Sequence, residues 1–210
     1  MYRICSFGLG ALLALAVCFP AFAGDEGLYP DAPPPGSAFV RFLNADARAA
    51  AIDIKGKAYG NAQQGQLTRY IYVPAGETAV SFGGTTASKQ MAEGQRYSVV
   101  LAKGKLAVLE EPAEKSPLKA EIVLINASSR PGVALKSADG AVSVIDPVAP
   151  GALGARAVNA VKVPFALYTE GKKIEDLTAR DLERGGSYAV VVYDNAAGKA
   201  TVSFNETQSK

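Results

Sequence analysis

The chain contains no histidine and no tryptophan, and its two cysteines, Cys5 and Cys18, both fall within the first 23 residues. Those absences exclude a Ser-His-Asp triad, a Cys-His pair and every His- or Cys-ligated metal site in the remainder of the chain, so no metal and no cofactor is expected. A disulfide framework is excluded as well, which leaves a hydrophobic core as the source of stability. Neither sign of charge dominates: 22 Lys and Arg stand against 20 Asp and Glu, a net +2. The basic footprint of a nucleic-acid binder is therefore missing. Enzymes built on carboxylates alone survive this filter.

Long apolar runs are equally scarce, and the single one lies at the start. Arg3 gives a positive n-region, Gly8 to Val17 an apolar stretch, and Ala21-Phe22-Ala23 a small-x-small cleavage site before polar Gly24-Asp25-Glu26. This is the pattern of a cleaved secretory signal over residues 1–23. Pro20 and the cleavage triplet argue against a membrane anchor, and Val17 before Cys18 argues against lipidation. Removing 23 of the 210 residues leaves 187, expected outside the cytoplasm with no membrane insertion.

The mature portion reads as all-β. Pro30, Pro33, Pro34, Pro35 and Gly36 make residues 24–37 an extended arm. A second Pro-and-charge cluster, Glu110 to Pro117, marks a boundary near the middle. Short β-type runs with turn residues between them fill the rest. Strands are expected near 39–43, 51–54, 66–73, 78–82, 97–102 and 106–110, then near 121–125, 133–136, 142–145, 154–158, 161–168, 188–193 and 200–204. Thr78/Val80/Phe82 and Tyr188/Val190/Val192 alternate at period two, whereas Ile122 to Ile125 is apolar on both faces and reads as a central strand. One short helix is expected over 174–184.

The halves resemble each other. Val40-Arg41-Phe42-Leu43-Asn44-Ala45 matches Ile122-Val123-Leu124-Ile125-Asn126-Ala127, and Gly94-Gln95-Arg96-Tyr97 matches Gly185-Gly186-Ser187-Tyr188. The expected architecture is two tandem antiparallel β-sandwiches, over 38–110 and 120–210, joined by a linker at 111–119.

Few constellations carry chemistry. Gly60 and Gly65 lack the Lys and hydroxyl of a phosphate loop, and Ser116-x-x-Lys119 lies in the linker. The sequon at Asn126 ends a central strand. The carboxylate pairs Glu110/Glu111, Glu175/Asp176 and Asp181/Glu183 fall where solvated turns are expected. Tyr70 and Tyr72 share a strand face, and paired aromatic rings suit carbohydrate.

Several segments carry a more specific signal: Leu28-Tyr29, Pro34-x-Gly36-Ser37-x-Phe39-Val40-Arg41-x-x-Asn44-Ala45, Glu110-Glu111-Pro112, Leu135-Lys136-x-Ala138-Asp139-Gly140 and Leu182-Glu183-Arg184-Gly185. In this order they resemble the AlgF family of periplasmic alginate O-acetylation proteins. The resemblance implies a periplasmic, non-catalytic adaptor whose partners are a membrane-bound acyltransferase and periplasmic acetyltransferases. Contact with those partners is expected through Leu28, Tyr29, Phe39 and Arg41 and through surfaces beside the linker. Two alternatives stand beside it: a module that binds the polysaccharide itself through Tyr70 and Tyr72, and the equivalent accessory protein for cellulose.

Overall fold

The structure, a computed structural model, describes residues 33–112 and 116–206. Leu28 and Tyr29 lie outside the described residues. The first repeat runs through β1 (Ser37–Asn44), β2 (Ala50–Ile54), β3 (Lys57–Ala62), β4 (Ile71–Pro74), β5 (Gly76–Phe82), β6 (Thr85–Met91), β7 (Arg96–Ala102) and β8 (Lys105–Glu110). The second comprises β9 (Ala120–Ala127), β10 (Val133–Ser137), β11 (Ser143–Val148), β12 (Ala152–Val158), β13 (Lys162–Thr169), β14 (Lys172–Asp181), β15 (Ser187–Asp194) and β16 (Ala200–Glu206). Each repeat forms two four-stranded sheets: β4-β1-β7-β8 and β3-β2-β5-β6 in the first, β12-β9-β15-β16 and β11-β10-β13-β14 in the second. The strand order of the second repeat is that of the first advanced by eight.

Alternation explains the cores. Ala38, Val40 and Phe42 of β1 and Tyr97, Val99 and Leu101 of β7 point inward against Ile52, Ile54, Val80 and Phe82 of the facing sheet. The Phe42 and Phe82 rings meet edge to face at 5.3 Å, a favoured aromatic geometry. Ile122, Leu124, Val190 and Val192 play the same part opposite Val133, Leu135, Phe165 and Leu167.

The remaining faces of β1 and β9 are covered too. Leu43, Ala45 and Val100 from the first sandwich pack on Val123, Ile125, Ala127 and Val191 from the second. The sandwiches are thus joined through their β1 and β9 sheets, and the chain from Pro33 onward is one compact unit. Burial on both faces is why the β9 sequence shows no alternation. Gly65 belongs to this seam: its φ is +74°, and a Cβ there would lie 2.5 Å from Cζ of Tyr193 across the joint.

The repeat extends to individual hydrogen bonds. Asn44 Nδ2 donates to the carbonyls of Arg48 (2.7 Å) and Ala62 (2.9 Å), while its Oδ1 accepts from the Asp46 amide. Asn126 Nδ2 donates to the carbonyls of Arg130 and Val148, both at 2.9 Å, while its Oδ1 accepts from the Ser128 amide. The phenols of Tyr97 and Tyr188 each accept from an amide five residues upstream. Asn126 is fully buried, so its sequon offers no acceptor to a glycan.

Three expectations need correction. The sheets are not wholly antiparallel, because β1 pairs with β7, and β9 with β15, in parallel at the sheet centres. Residues 174–184 form no helix; β14 occupies Lys172–Asp181, and no helix occurs among the described residues. Strands β3 and β6 were not expected. All three of these elements are sheet edges with largely exposed side chains, and an edge with little apolar face leaves little periodic signal.

Replacing either buried asparagine by alanine strands two carbonyls. Asn44→Ala and Asn126→Ala should each cost about 2–4 kcal/mol in denaturant unfolding, with nearly additive effects because the two sites share no partner. Gly65→Ala should destabilise by about 1–3 kcal/mol through its left-handed backbone and its clash with Tyr193.

Candidate functional site: a sealed ion pair beneath an aromatic patch

On β1 and β7 the residues between the core positions face outward: Phe39, Arg41 and Leu43 on one, Arg96, Ser98 and Val100 on the other. Arg41 has no exposed surface. Its Nε donates to Glu111 Oε1 and to Ser98 Oγ, both at 2.9 Å. Ser98 Oγ in turn donates to the same carboxylate oxygen at 2.7 Å, and the second oxygen accepts the Tyr70 hydroxyl at 2.7 Å. The Arg41 guanidinium lies 4.9 Å from the Tyr70 ring centre. Both Glu111 oxygens are therefore occupied, and the carboxylate expected in a solvated linker is in fact buried, whereas its neighbour Glu110 is exposed. Glu175, Asp176, Asp181 and Glu183 are all exposed as expected.

A second ion pair crosses the joint. Arg96 grips Glu121 of β9 with both terminal nitrogens, one of them at 2.6 Å, and also donates to the Pro112 carbonyl at 3.0 Å. Gln95 Nε2 donates to the Glu111 carbonyl. The linker's first two residues are thereby tied to the start of β7.

Above the ion pair sit three rings. Phe39 meets Tyr72 edge on at 5.3 Å and Tyr70 edge on at 6.4 Å. Tyr72 is 40% exposed, and Phe39 and Tyr70 are half-buried. The structure thus gathers four residues that the sequence singles out for two separate purposes. Arg41 presents no atom to the surface; it fixes Tyr70 from below. The sequence does not single out Ser98, Arg96 or Glu121 as site residues, and it offers Glu111 only as a solvated linker carboxylate. Their one hint was Arg41 itself, a charge on a strand whose neighbours are apolar on both faces, which demands a buried counter-charge.

Burial is the main cause holding the Tyr70 phenol far above its ordinary range; Arg41 opposes the rise and Glu111 reinforces it. Desolvation is the largest single influence on Arg96 and works against its charge, but the hydrogen bonds to Glu121 together with the charge interactions with Tyr70, Glu121 and Glu111 raise the guanidinium overall. Among the described residues, no three His, Cys, Asp or Glu side chains gather as a metal site would require. At the other end of the joint a cleft of about 410 Å³ lies between turns of both sandwiches. Its carboxylates are engaged, Asp46 with the amides of Lys103 and Gly104, and Asp194 with Ser129 and Lys103.

These features define a class: a tandem β-sandwich protein whose buried charges secure the joint between its halves. Comparison with known proteins gives the family. The family model described as "Alginate O-acetyl transferase AlgF" matches residues 10–189. The chain is 36% identical over 199 residues to the alginate biosynthesis protein AlgF of Pseudomonas putida, covering 91% of this chain and 88% of that one. It is 32% identical over 201 residues to the AlgF of Pseudomonas syringae, covering 95% and 88%. The chain belongs to the AlgF family. The solved C-terminal domain of AlgF from Pseudomonas aeruginosa aligns at a TM-score of 0.39 and 34% identity, over 42% of this chain and 98% of that domain. The N-terminal domain aligns at 0.36 and 22%, over 39% and 100%. No helix among the described residues is long and apolar enough to cross a membrane.

Arg41→Met or Glu111→Gln should each cost about 3–5 kcal/mol by leaving the other group buried without its partner, and the double variant should cost less than the sum. Alkaline stability should follow Tyr70. An unfolded tyrosine ionises near pH 10 while this one stays protonated, so folding stability should be intact below about pH 10 and fall as pH rises beyond it. Tyr70→Phe should flatten that fall in unfolding measured against pH.

Proposed function

We propose that this chain is a non-catalytic periplasmic adaptor for alginate O-acetylation, holding periplasmic acetyltransferases and a membrane-bound acyltransferase in one assembly. Membership of the AlgF family and the names of its relatives support the polymer and the process. The secretory signal read over residues 1–23 supports the compartment.

The observation that carries the non-catalytic reading is that the serines bonded to carboxylates have no histidine base in the chain, and that the buried pair among them, Ser98–Glu111, is sealed. The family description speaks of a transferase, and acyl transfer through an enzyme side chain needs a nucleophile beside a base. Among the described residues Ser129–Asp194, Ser137–Asp139 and Ser143–Asp146 are exposed pairs with no histidine to serve as base, and Ser98 bonded to Glu111 is the buried one. Its hydroxyl is completely buried under Arg41 and Tyr70, with no room for a donor ester. The cluster serves as a joint, with both oxygens of its carboxylate engaged within the protein.

Deleting the gene should sharply lower the acetyl content of the secreted polymer and leave its yield unchanged. Loss of the polymer itself would overturn the reading in favour of synthesis or export. The tagged protein should recover an acetyltransferase from periplasmic extract. Purified protein should show no turnover of an acetyl-donor ester above background, and turnover abolished by Ser98→Ala would establish an enzyme.

A further inference from the structure

Among the described residues, the outer face of the β4-β1-β7-β8 sheet is covered over only part of its length. Leu43, Ala45 and Val100 lie under the second sandwich, whereas Phe39, on the same face of the same strand, is half-buried beside an exposed Tyr72. We propose that this uncovered continuation, formed by Phe39, Tyr72 and the edge of Tyr70, is where a partner protein seats an apolar anchor side chain. The inference rests on the adaptor reading and assigns it a surface.

Comparison of the repeats argues that the fold itself does not need these rings. The cross-strand pair Phe39–Tyr72 in the first sandwich corresponds to Glu121–Ala157 in the second. The second sandwich builds the same sheet without an aromatic at either position. In the first, the rings are also held in advance of any contact. Tyr70 is fixed by Glu111 and Arg41, and Phe39 stands edge on to both tyrosines. A patch of rigid aromatics loses little freedom on docking, which is what makes such residues dominate protein interfaces.

The same geometry disfavours the other occupants. A sugar stacks on a flat, open ring with a hydroxyl beside it, but Tyr70 has Arg41 against its ring and its hydroxyl donated to Glu111. An added partner strand would need a long free edge, and β4 is four residues ending in Pro74, the blunted form of an edge. What remains is side-chain packing against an aromatic patch that continues an interface the protein already makes with itself.

The test uses the mature protein carrying Phe39→Ser and Tyr72→Ser, with Val142→Ser, an exposed apolar residue on the second sandwich, as control. The probe is the periplasmic acetyltransferase recovered by the unaltered protein, titrated after purification. The double variant should bind it at least about tenfold more weakly, the control should match the unaltered protein, and all three should melt within a few degrees of one another. Equal binding by the double variant overturns this surface and leaves the adaptor reading standing. Recovery of no acetyltransferase by the unaltered protein removes both. Saturable binding of alginate oligomers that Tyr72→Ser abolishes would give the patch to saccharide instead and overturn the proposal.

Discussion

Arg41 has no contact with water, and a guanidinium in that position is tolerable only with a carboxylate beside it. The carboxylate comes from Glu111, the residue that follows the last strand of the first sandwich. Glu111 extends the pairing of β8 with β7, its amide donating to the Arg96 carbonyl, and so places its carboxylate on the outer face of the sheet beside Arg41. That placement fixes Tyr70 through the second carboxylate oxygen and brings Pro112 within reach of Arg96, which in turn grips Glu121 at the start of β9. One buried charge thus sets the exit of the linker, the seat of an aromatic ring and the end of the joint at which the second sandwich begins.

The two repeats show which parts of this belong to the fold. The asparagines that tie the end of β1 to β3, and of β9 to β11, are kept with all their bonds, because every copy of the sandwich must satisfy those buried carbonyls. Arg41 and Ser98 are not kept: their counterparts are Val123 and Ala189, both fully buried and apolar. A joint between two such sheets can be entirely hydrophobic, as its middle is. Charge enters at its ends: beside the start of the linker, where Arg96 holds Glu121 and the Pro112 carbonyl, and at the far end, where Lys103 pairs with Asp194.

Local pattern made most of the strands legible. Alternation in Thr78/Val80/Phe82 and Tyr188/Val190/Val192 reports burial on one face, and the unbroken apolar run at Ile122–Ile125 reports burial on two. Strands β3, β6 and β14 escaped because an exposed edge asks little of its side chains. The parallel partners of β1 and β9 escaped because pattern shows how a strand is buried and says nothing of which strand lies beside it. The site was legible in pieces: Phe39 and Arg41 stood out by family resemblance and Tyr70 and Tyr72 by shared face. Glu111 could not be joined to them from the sequence, since it lies 70 residues from Arg41 and sits next to a proline in a run that looks solvated.

The parallel pairing at the centre of each sandwich bears on how the molecule comes into being. A hairpin closes as soon as its second strand exists, but β1 finds its central neighbour only when β7 arrives, Ser98 standing 57 positions after Arg41. Pairing across such a separation is slow relative to local contacts. The first strand of each half gains one neighbour at β4 or β12, but its other side stays unpaired until the half is almost complete. In a chain built this way neither half can close its sheet before nearly all of that half has been made.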